Sequence, residues 1–231
     1  MPVLYILGGA NGCGKTTWYY DQLSQGAIDR SLPFINIDNI VLNELGNYTP
    51  ENIALGEQIA KERMSNLIDR KENFMIESNL SKSADYDWIE KMQSAGYETV
   101  LYFLATDNVL INKARVRERV KEGGHDVAEA IIEQRYRMGL SYLKSKIINF
   151  TEAYLVDSSK SISEKVALVR KGKVIDKVNA PASWVTETLF IAERLQQKKQ
   201  QLGQSKEQKP EDAGLLKKLR NSQRRGRGPR L

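Results

Sequence analysis

The chain has 231 residues, enough for one large folded unit, alone or with an appendage, around a sizeable core. Its net charge of +6 sits at one end: residues 204–231 carry nine Lys/Arg against three Asp/Glu, so the rest is neutral and has no overall attraction for nucleic acid. The lone Cys13 excludes an internal disulfide and points to a reducing cytoplasm. The short apolar start lacks the charged flank of a signal peptide, and no apolar run approaches a membrane span.

The first predicted strand covers residues 3–7, an unbroken apolar run of the kind buried in a parallel sheet. It leads into Gly9-Ala10-Asn11-Gly12-Cys13-Gly14-Lys15-Thr16, which fits the GxxxxGK[ST] pattern of a phosphate-binding loop. A helix over 15–24 follows, so the motif stands in the strand–loop–helix frame that it needs. The glycines let backbone N–H groups curl around an anion, and the helix N-terminus adds partial positive charge. Lys15 can then reach the outer phosphates, Thr16 can hold Mg²⁺, and Thr17 completes the cradle. The nucleotide expected is ATP, with GTP as the alternative. Cys13 has two readings, a small filler residue or a redox-sensitive thiol at a helix N-terminus.

Further strands are predicted over 34–37, 74–76, 99–104 and 153–156, and helices over 51–70, 84–95, 107–121 and 127–144. Thr49 and Pro50 mark a capped helix start, and Ile53, Ala54, Ile59, Ala60, Met64, Leu67 and Ile68 give that helix an apolar face. The alternation predicts an α/β fold: a five-stranded parallel sheet of the P-loop NTPase type, with helices on both faces. After residue 158 the pattern becomes a hairpin over 166–178 around Lys171-Gly172, then a helix over 186–202 ending near Gly203. We divide the chain accordingly into a kinase-like unit over 1–158, an appendage over 159–203 and a basic tail over 204–231. The tail's composition reads as disordered, apart from an amphipathic patch at 215–219.

Ligands of parallel sheets sit outside the carboxyl ends of the strands, and several strands here end in acids. Asp38 follows the second strand and Glu77 the third. Phosphoryl transfer to an alcohol uses one carboxylate to accept the hydroxyl proton and another to hold the metal or orient the acceptor. Helix capping is the competing reading for both. For Asp107, after Thr106, capping suffices, and Asp157 reads as structural.

Arg115 and Arg119 share one helical face, the helix ends at Gly123-Gly124, and the next helix carries Arg135 and Arg137. Two arginine-bearing helices joined by glycines fit a lid over about 107–144 that closes on the phosphates. A solvated helix with i,i+4 charge pairs is the alternative. His125, the only histidine, reads as a turn residue or a substrate-facing one, and no Cys/His set exists for a structural zinc.

Taken together, the phosphate loop, Asn36-Ile37-Asp38, Glu77-Ser78-Asn79-Leu80-Ser81, the run from Arg115 to Val127 and Gln134-Arg135-Tyr136 resemble the zeta-toxin family of kinases, in its short stand-alone bacterial branch. The resemblance covers about residues 1–158. It implies γ-phosphate transfer from ATP to UDP-N-acetylglucosamine, with Asp38 as base and Glu77 orienting the sugar. It also implies that Arg119 and Arg135, then Arg115, touch the γ-phosphate, that Ser78, Asn79 and His125 lie on the acceptor side, and that an antitoxin protein is a partner. Gln134 departs from the arginine common in that branch. Two readings compete: a polynucleotide or nucleotide kinase using the basic tail for nucleic acid, and a non-catalytic ATP-binding switch whose tail docks an acidic partner.

Overall fold

The computed structural model describes residues 1–202. The expectations for the tail and its amphipathic patch lie outside these residues.

Strands β1 (Val3–Gly8), β2 (Phe34–Ile35), β3 (Phe74–Ser78), β4 (Glu98–Ala105), β5 (Glu152–Asp157), β6 (Glu164–Arg170) and β7 (Lys173–Lys177) form one sheet. Its order is β2-β3-β1-β4-β5-β6-β7. The first five in that order pair in parallel, whereas β5–β6 and β6–β7 are antiparallel. The expected sheet of five parallel strands is therefore corrected to a mixed sheet of seven. The 158–163 link is too short for the crossover that a further parallel strand would need, so the chain can return only antiparallel. The hairpin predicted around Lys171-Gly172 forms there, with both residues at positive φ (47° and 77°), as a type I′ turn requires.

Alternation along the strands splits the apolar side chains between two faces. Leu4, Ile6, Leu101, Phe103, Ala153 and Leu155 face the larger core. It is completed by α3 (Pro50–Asp69), α4 (Ser83–Ser94) and α6 (Glu129–Lys146). A helix from 183 to 202, α7, adds Trp184, Val185, Leu189 and Ala192 to the same core. On the opposite face, Leu7, Met75, Leu104 and Val156 meet Trp18 and Tyr19 of α1 (Lys15–Ser24). Thr49 caps α3 by accepting from the Asn52 N–H, with Pro50 in the first turn, as predicted. Ala54, placed on the apolar face by periodicity, is exposed. Gly56 is buried instead, and a Cβ there would meet Val41 Cγ2 at 2.7 Å.

Helix α2 (Ile37–Glu44) departs from the prediction of a strand over 34–37. The strand stops at Ile35 because the Asn36 side chain accepts from the Asn39 N–H and starts a helix. β1 lies between β3 and β4, so the chain leaves it in opposite directions along the sheet. The crevice opens at that switch point, above the carboxyl end of β1.

Candidate functional site

The glycine loop leaves β1 at this crevice and enters α1 at Lys15. Gly12 and Gly14 have φ of 75° and 87°. The loop is held from below. A Cβ on Gly9 would lie 2.2 Å from the Leu104 carbonyl oxygen, and one on Gly12 would lie 2.3 Å from the Asn112 carbonyl oxygen. Asn112, fully buried, donates to the Asn11 carbonyl (2.7 Å) and accepts from the Thr106 hydroxyl (2.5 Å). Asn112 drew no attention in the sequence, and only its burial beneath the loop gives it a role.

Lys15 is buried and lies across the loop, donating to the carbonyls of Gly9 (2.6 Å) and Ala10 (3.3 Å). Its ammonium is 3.6 Å from Glu77 Oε1. The other Glu77 oxygen accepts from the Asn36 amide at 2.7 Å. Burial pushes the Glu77 carboxyl up, Lys15 pulls it back down, and the nearby Asp38 charge raises it again. Asp38 lies in the first turn of α2, whose cap is Asn36, so Asp38 does not cap this helix. Glu77 caps nothing either, since it lies within β3 and is engaged by Lys15 and Asn36.

Asn11, Gly12 and the 14–17 segment, together with Asp38, Glu77, Arg115 and Arg119, line one cavity of about 370 Å³. Thr16 and Thr17 stand exposed at its wall. Arg115 and Arg119 come from α5 (Val109–Lys121), so the shared helical face read from their spacing points into the cavity. Arg115 donates to the Lys160 carbonyl (3.1 Å), and Arg119 to the His125 carbonyl (2.8 Å). The Arg119 Nε is buried and has no hydrogen-bond partner among the described residues. Arg135, on α6, approaches from the far side of the loop and donates to Asn11 Oδ1 at 2.7 Å. Arg117 instead pairs with Glu129 on the outside, the solvated role considered for single arginines.

Other predicted residues stand apart from the cavity. Gly9, Ala10 and Cys13 form the underside of the loop. Cys13 is 1% exposed and burial pushes its thiol up, which leaves the filler reading and removes the basis for a reactive thiolate. Ser78 accepts from the Leu80 N–H (3.0 Å), and the Asn79 carbonyl packs near Gly139 under α6. The helix-capping residue expected at Asp107 is in fact Asn108, whose side chain accepts from the Leu110 N–H. Asp157 Oδ1 accepts from the Ser159 N–H and hydroxyl, a local structural role. His125 lies beyond α5 and stacks on Tyr48, with ring centroids 4.3 Å apart. Gly123 and Gly124 return N–H bonds to Val120 and Arg119, closing α5 in a Schellman cap.

Thr16, Asp38 and Glu77 supply the hard oxygen atoms that Mg²⁺ takes, and they suit an ion shared with phosphate oxygens and water rather than an all-protein cage. Among the described residues no group of three or more His, Cys, Asp or Glu is arranged to hold a metal, and no helix is long and apolar enough to cross a membrane.

Fold and loop define the class: an α/β protein with a phosphate-binding loop between β1 and α1. No family model matches the chain. It belongs to the same family as an uncharacterized protein of Haemophilus influenzae, with 30% identity over 132 residues, 55% of this chain and 88% of that protein. A nucleotide-binding protein of Endomicrobium trichonymphae is 25% identical over 175 residues, 75% of this chain but only 56% of that relative's length. Among solved structures, AvrRxo1-ORF1:AvrRxo1-ORF2 with sulphate ions aligns at TM-score 0.59 and 17% identity, over 78% of this chain and 62% of that one. The AvrRxo1-ORF1:-ORF2 complex with ATP aligns at 0.58 and 14%, over 84% and 76%. The PezAT chromosomal toxin–antitoxin system of Streptococcus pneumoniae aligns at 0.54 and 14%, over 86% and 87%. At these identities the likeness is one of fold.

Proposed function

We propose that this chain is an ATP-dependent phosphotransferase, acting in the cytoplasm, that moves the γ-phosphate to a hydroxyl of a small molecule. A nucleotide sugar such as UDP-N-acetylglucosamine is the acceptor we favour, in the manner of a short zeta-like toxin held in check by an antitoxin. The observation that carries the reading is the single cavity shared by the glycine loop, Lys15, Asp38, Glu77, Arg115 and Arg119. Two comparisons support it: one fold neighbour was crystallised with ATP, and another comes from a toxin–antitoxin system.

In this reading the loop N–H groups and Lys15 bind the phosphates, and Lys15 exchanges its carbonyl contacts for phosphate oxygens. Mg²⁺, held through Thr16, would neutralise charge on the phosphates. Asp38, exposed to the cavity, accepts the acceptor's hydroxyl proton as the oxygen attacks the γ-phosphorus, the bond to the β,γ-bridging oxygen breaks and ADP leaves. Glu77, fixed by Lys15 and Asn36, orients the acceptor. Arg119 supplies its unpartnered Nε to the transferring group, Arg115 joins it, and Arg135 holds the loop through Asn11. We assign α5 and α6 to a lid that closes over these groups.

Transfer of label from γ-labelled ATP tests this, with UDP-N-acetylglucosamine and then a whole-cell metabolite extract as acceptors and Asp38→Ala alongside. Labelled UDP-N-acetylglucosamine that disappears with the variant is the expected result. Label on another metabolite keeps the kinase and discards that sugar nucleotide. Label on nucleic acid, or on nothing, overturns the reading.

A further inference from the structure

Tyr48 lies in the α2–α3 connection. Its ring stacks on His125 at 4.3 Å between centroids, with 24° between the planes. Its hydroxyl reaches back to α2 and donates to the Asp38 carbonyl oxygen at 3.5 Å, and the Asp38 charge lies near enough to act on it. His125 is joined to the arginine helix: its carbonyl accepts from Arg119 Nη2 at 2.8 Å. A chain of direct contacts thus runs from Asp38 through Tyr48 and His125 to Arg119.

The backbone shapes this chain of contacts. The Schellman cap turns the polypeptide back over the end of α5 and delivers His125 to Arg119. The fit is close enough that a Cβ on Gly124 would lie 2.6 Å from Arg119 Cγ and 2.9 Å from the Arg119 carbonyl oxygen. Burial, then the Asp38 charge, pushes the Tyr48 hydroxyl up to about 12 against the opposing Arg119 charge, so it stays a donor throughout the physiological range.

We propose that Tyr48 and His125 are a positioning pair that couples the Asp38 helix to the Arg119 helix, so that the base and the phosphate-binding arginine are set together. This rests on the phosphotransferase reading for its catalytic meaning. Tyr48 touches no reacting atom: its hydroxyl fixes the attitude of Asp38, and its ring passes the placement of the 122–128 segment to that hydroxyl. A base displaced by about 1 Å can lose on the order of a hundredfold in rate while ATP binding, made by the glycine loop, is unaffected.

Steady-state kinetics and NMR of the full chain test the pair together. His125 is the only histidine, so its ring signal is assigned without further work. Tyr48→Ala and His125→Ala should each lower kcat about ten- to a hundredfold, with the KM for ATP within about twofold of wild type. The double variant should be no worse than the slower single one. Tyr48→Phe keeps the stack but not the hydroxyl, and should lose rate while leaving the His125 signal near its wild-type position. Tyr48→Ala should move that signal, and Asp38→Asn should move it less. Multiplying effects in the double variant, a loss falling entirely on KM, or a His125 signal indifferent to Tyr48→Ala would each overturn the pair. If the wild-type chain transfers no phosphate, the NMR arm still decides. A signal that responds to both Tyr48→Ala and Asp38→Asn upholds the coupling and only the phosphotransfer reading falls, whereas an indifferent signal removes the coupling as well.

Discussion

Asn36, the cap of α2, and Glu77, in β3, meet through a 2.7 Å hydrogen bond from the amide of one to the carboxylate of the other. The same Asn36 caps α2 with its carbonyl oxygen. One buried side chain therefore starts the helix that carries Asp38 and fixes the carboxylate facing Lys15.

Replacing Asn36 separates these two tasks. Asn36→Ala loses a cap, about 1 kcal/mol, and a hydrogen bond to a charged group, about 1.5–3 kcal/mol. Asn36→Asp restores the cap but sets a second carboxylate against Glu77. Urea unfolding should rank wild type above both variants, and phosphotransfer should fall in both. A fully active Asn36→Asp would show that the Glu77 contact does not matter for transfer.

The glycines of the loop differ in what lies beneath them. Gly9→Ala and Gly12→Ala drive a Cβ into backbone carbonyls at 2.2 and 2.3 Å and require a positive φ as well. Gly26→Ala has a positive φ of 70° but open space around it, so only the backbone term remains, about 1–2 kcal/mol. Thermal unfolding should show both loop variants well below Gly26→Ala, and fluorescent ATP-analogue binding should be lost only in the loop variants.

The glycine loop, Glu77 near the end of β3 and the paired arginines were legible in sequence because each is set by spacing along a single element, whereas Asp38, expected at a strand tip, lies in the first turn of α2. The cap of α5 was not. Thr106, Asp107 and Asn108 are all capping residues in a row, and local sequence does not choose between them. The fold does: the Asp107 N–H is taken by the Ser159 hydroxyl and the Thr106 hydroxyl turns to Asn112, which leaves Asn108 over the helix end. Asn112 and Tyr48 were invisible for the same reason, since their partners lie far along the chain. The hairpin was legible from Lys171-Gly172, but its register on β5 is a long-range pairing that no local pattern records.

The capping assignment can be checked directly. Asn108→Ala should cost about 1 kcal/mol of stability, whereas Asp107→Ala should stay within about 0.5 kcal/mol of wild type. Equal losses by chemical denaturation would contradict the cap seen here.

Glu77 carries a pH signature. Its folded carboxyl is raised above its ordinary 4.5, chiefly by burial. The folded state then holds the proton more tightly than the unfolded chain, so this residue's contribution is fully present below pH 4.5 and is lost as pH rises through the folded value. Glu77→Gln should therefore be more stable than wild type at neutral pH, with the gap closing as the pH drops toward 4.5, while phosphotransfer is lost. A gap that widens in acid would mean that Lys15 outweighs burial at this site.

The arginines should separate by how they are held. Arg119 lines the cavity with its Nε buried and unpartnered among the described residues, while its Nη2 donates to the His125 carbonyl, so Arg119→Ala removes both a donor beside the transferring group and that tie. A loss of roughly 10³ in kcat is expected, about 4 kcal/mol of barrier, with the unfolding midpoint lowered only by the lost bond to His125, about 1 kcal/mol. Lys15→Ala should cost at least as much and also weaken nucleotide binding. Arg135 reaches the phosphates only through Asn11, so Arg135→Ala should act mainly on the KM for ATP. Arg115 and Arg119 each donate to a backbone carbonyl, but of the two only Arg119 keeps an unpartnered buried Nε, so the loss at Arg115 should be smaller than that at Arg119. Kinetics in which Arg115→Ala exceeds Arg119→Ala would shift the principal contact with the transferring group to Arg115, one helical turn earlier on α5.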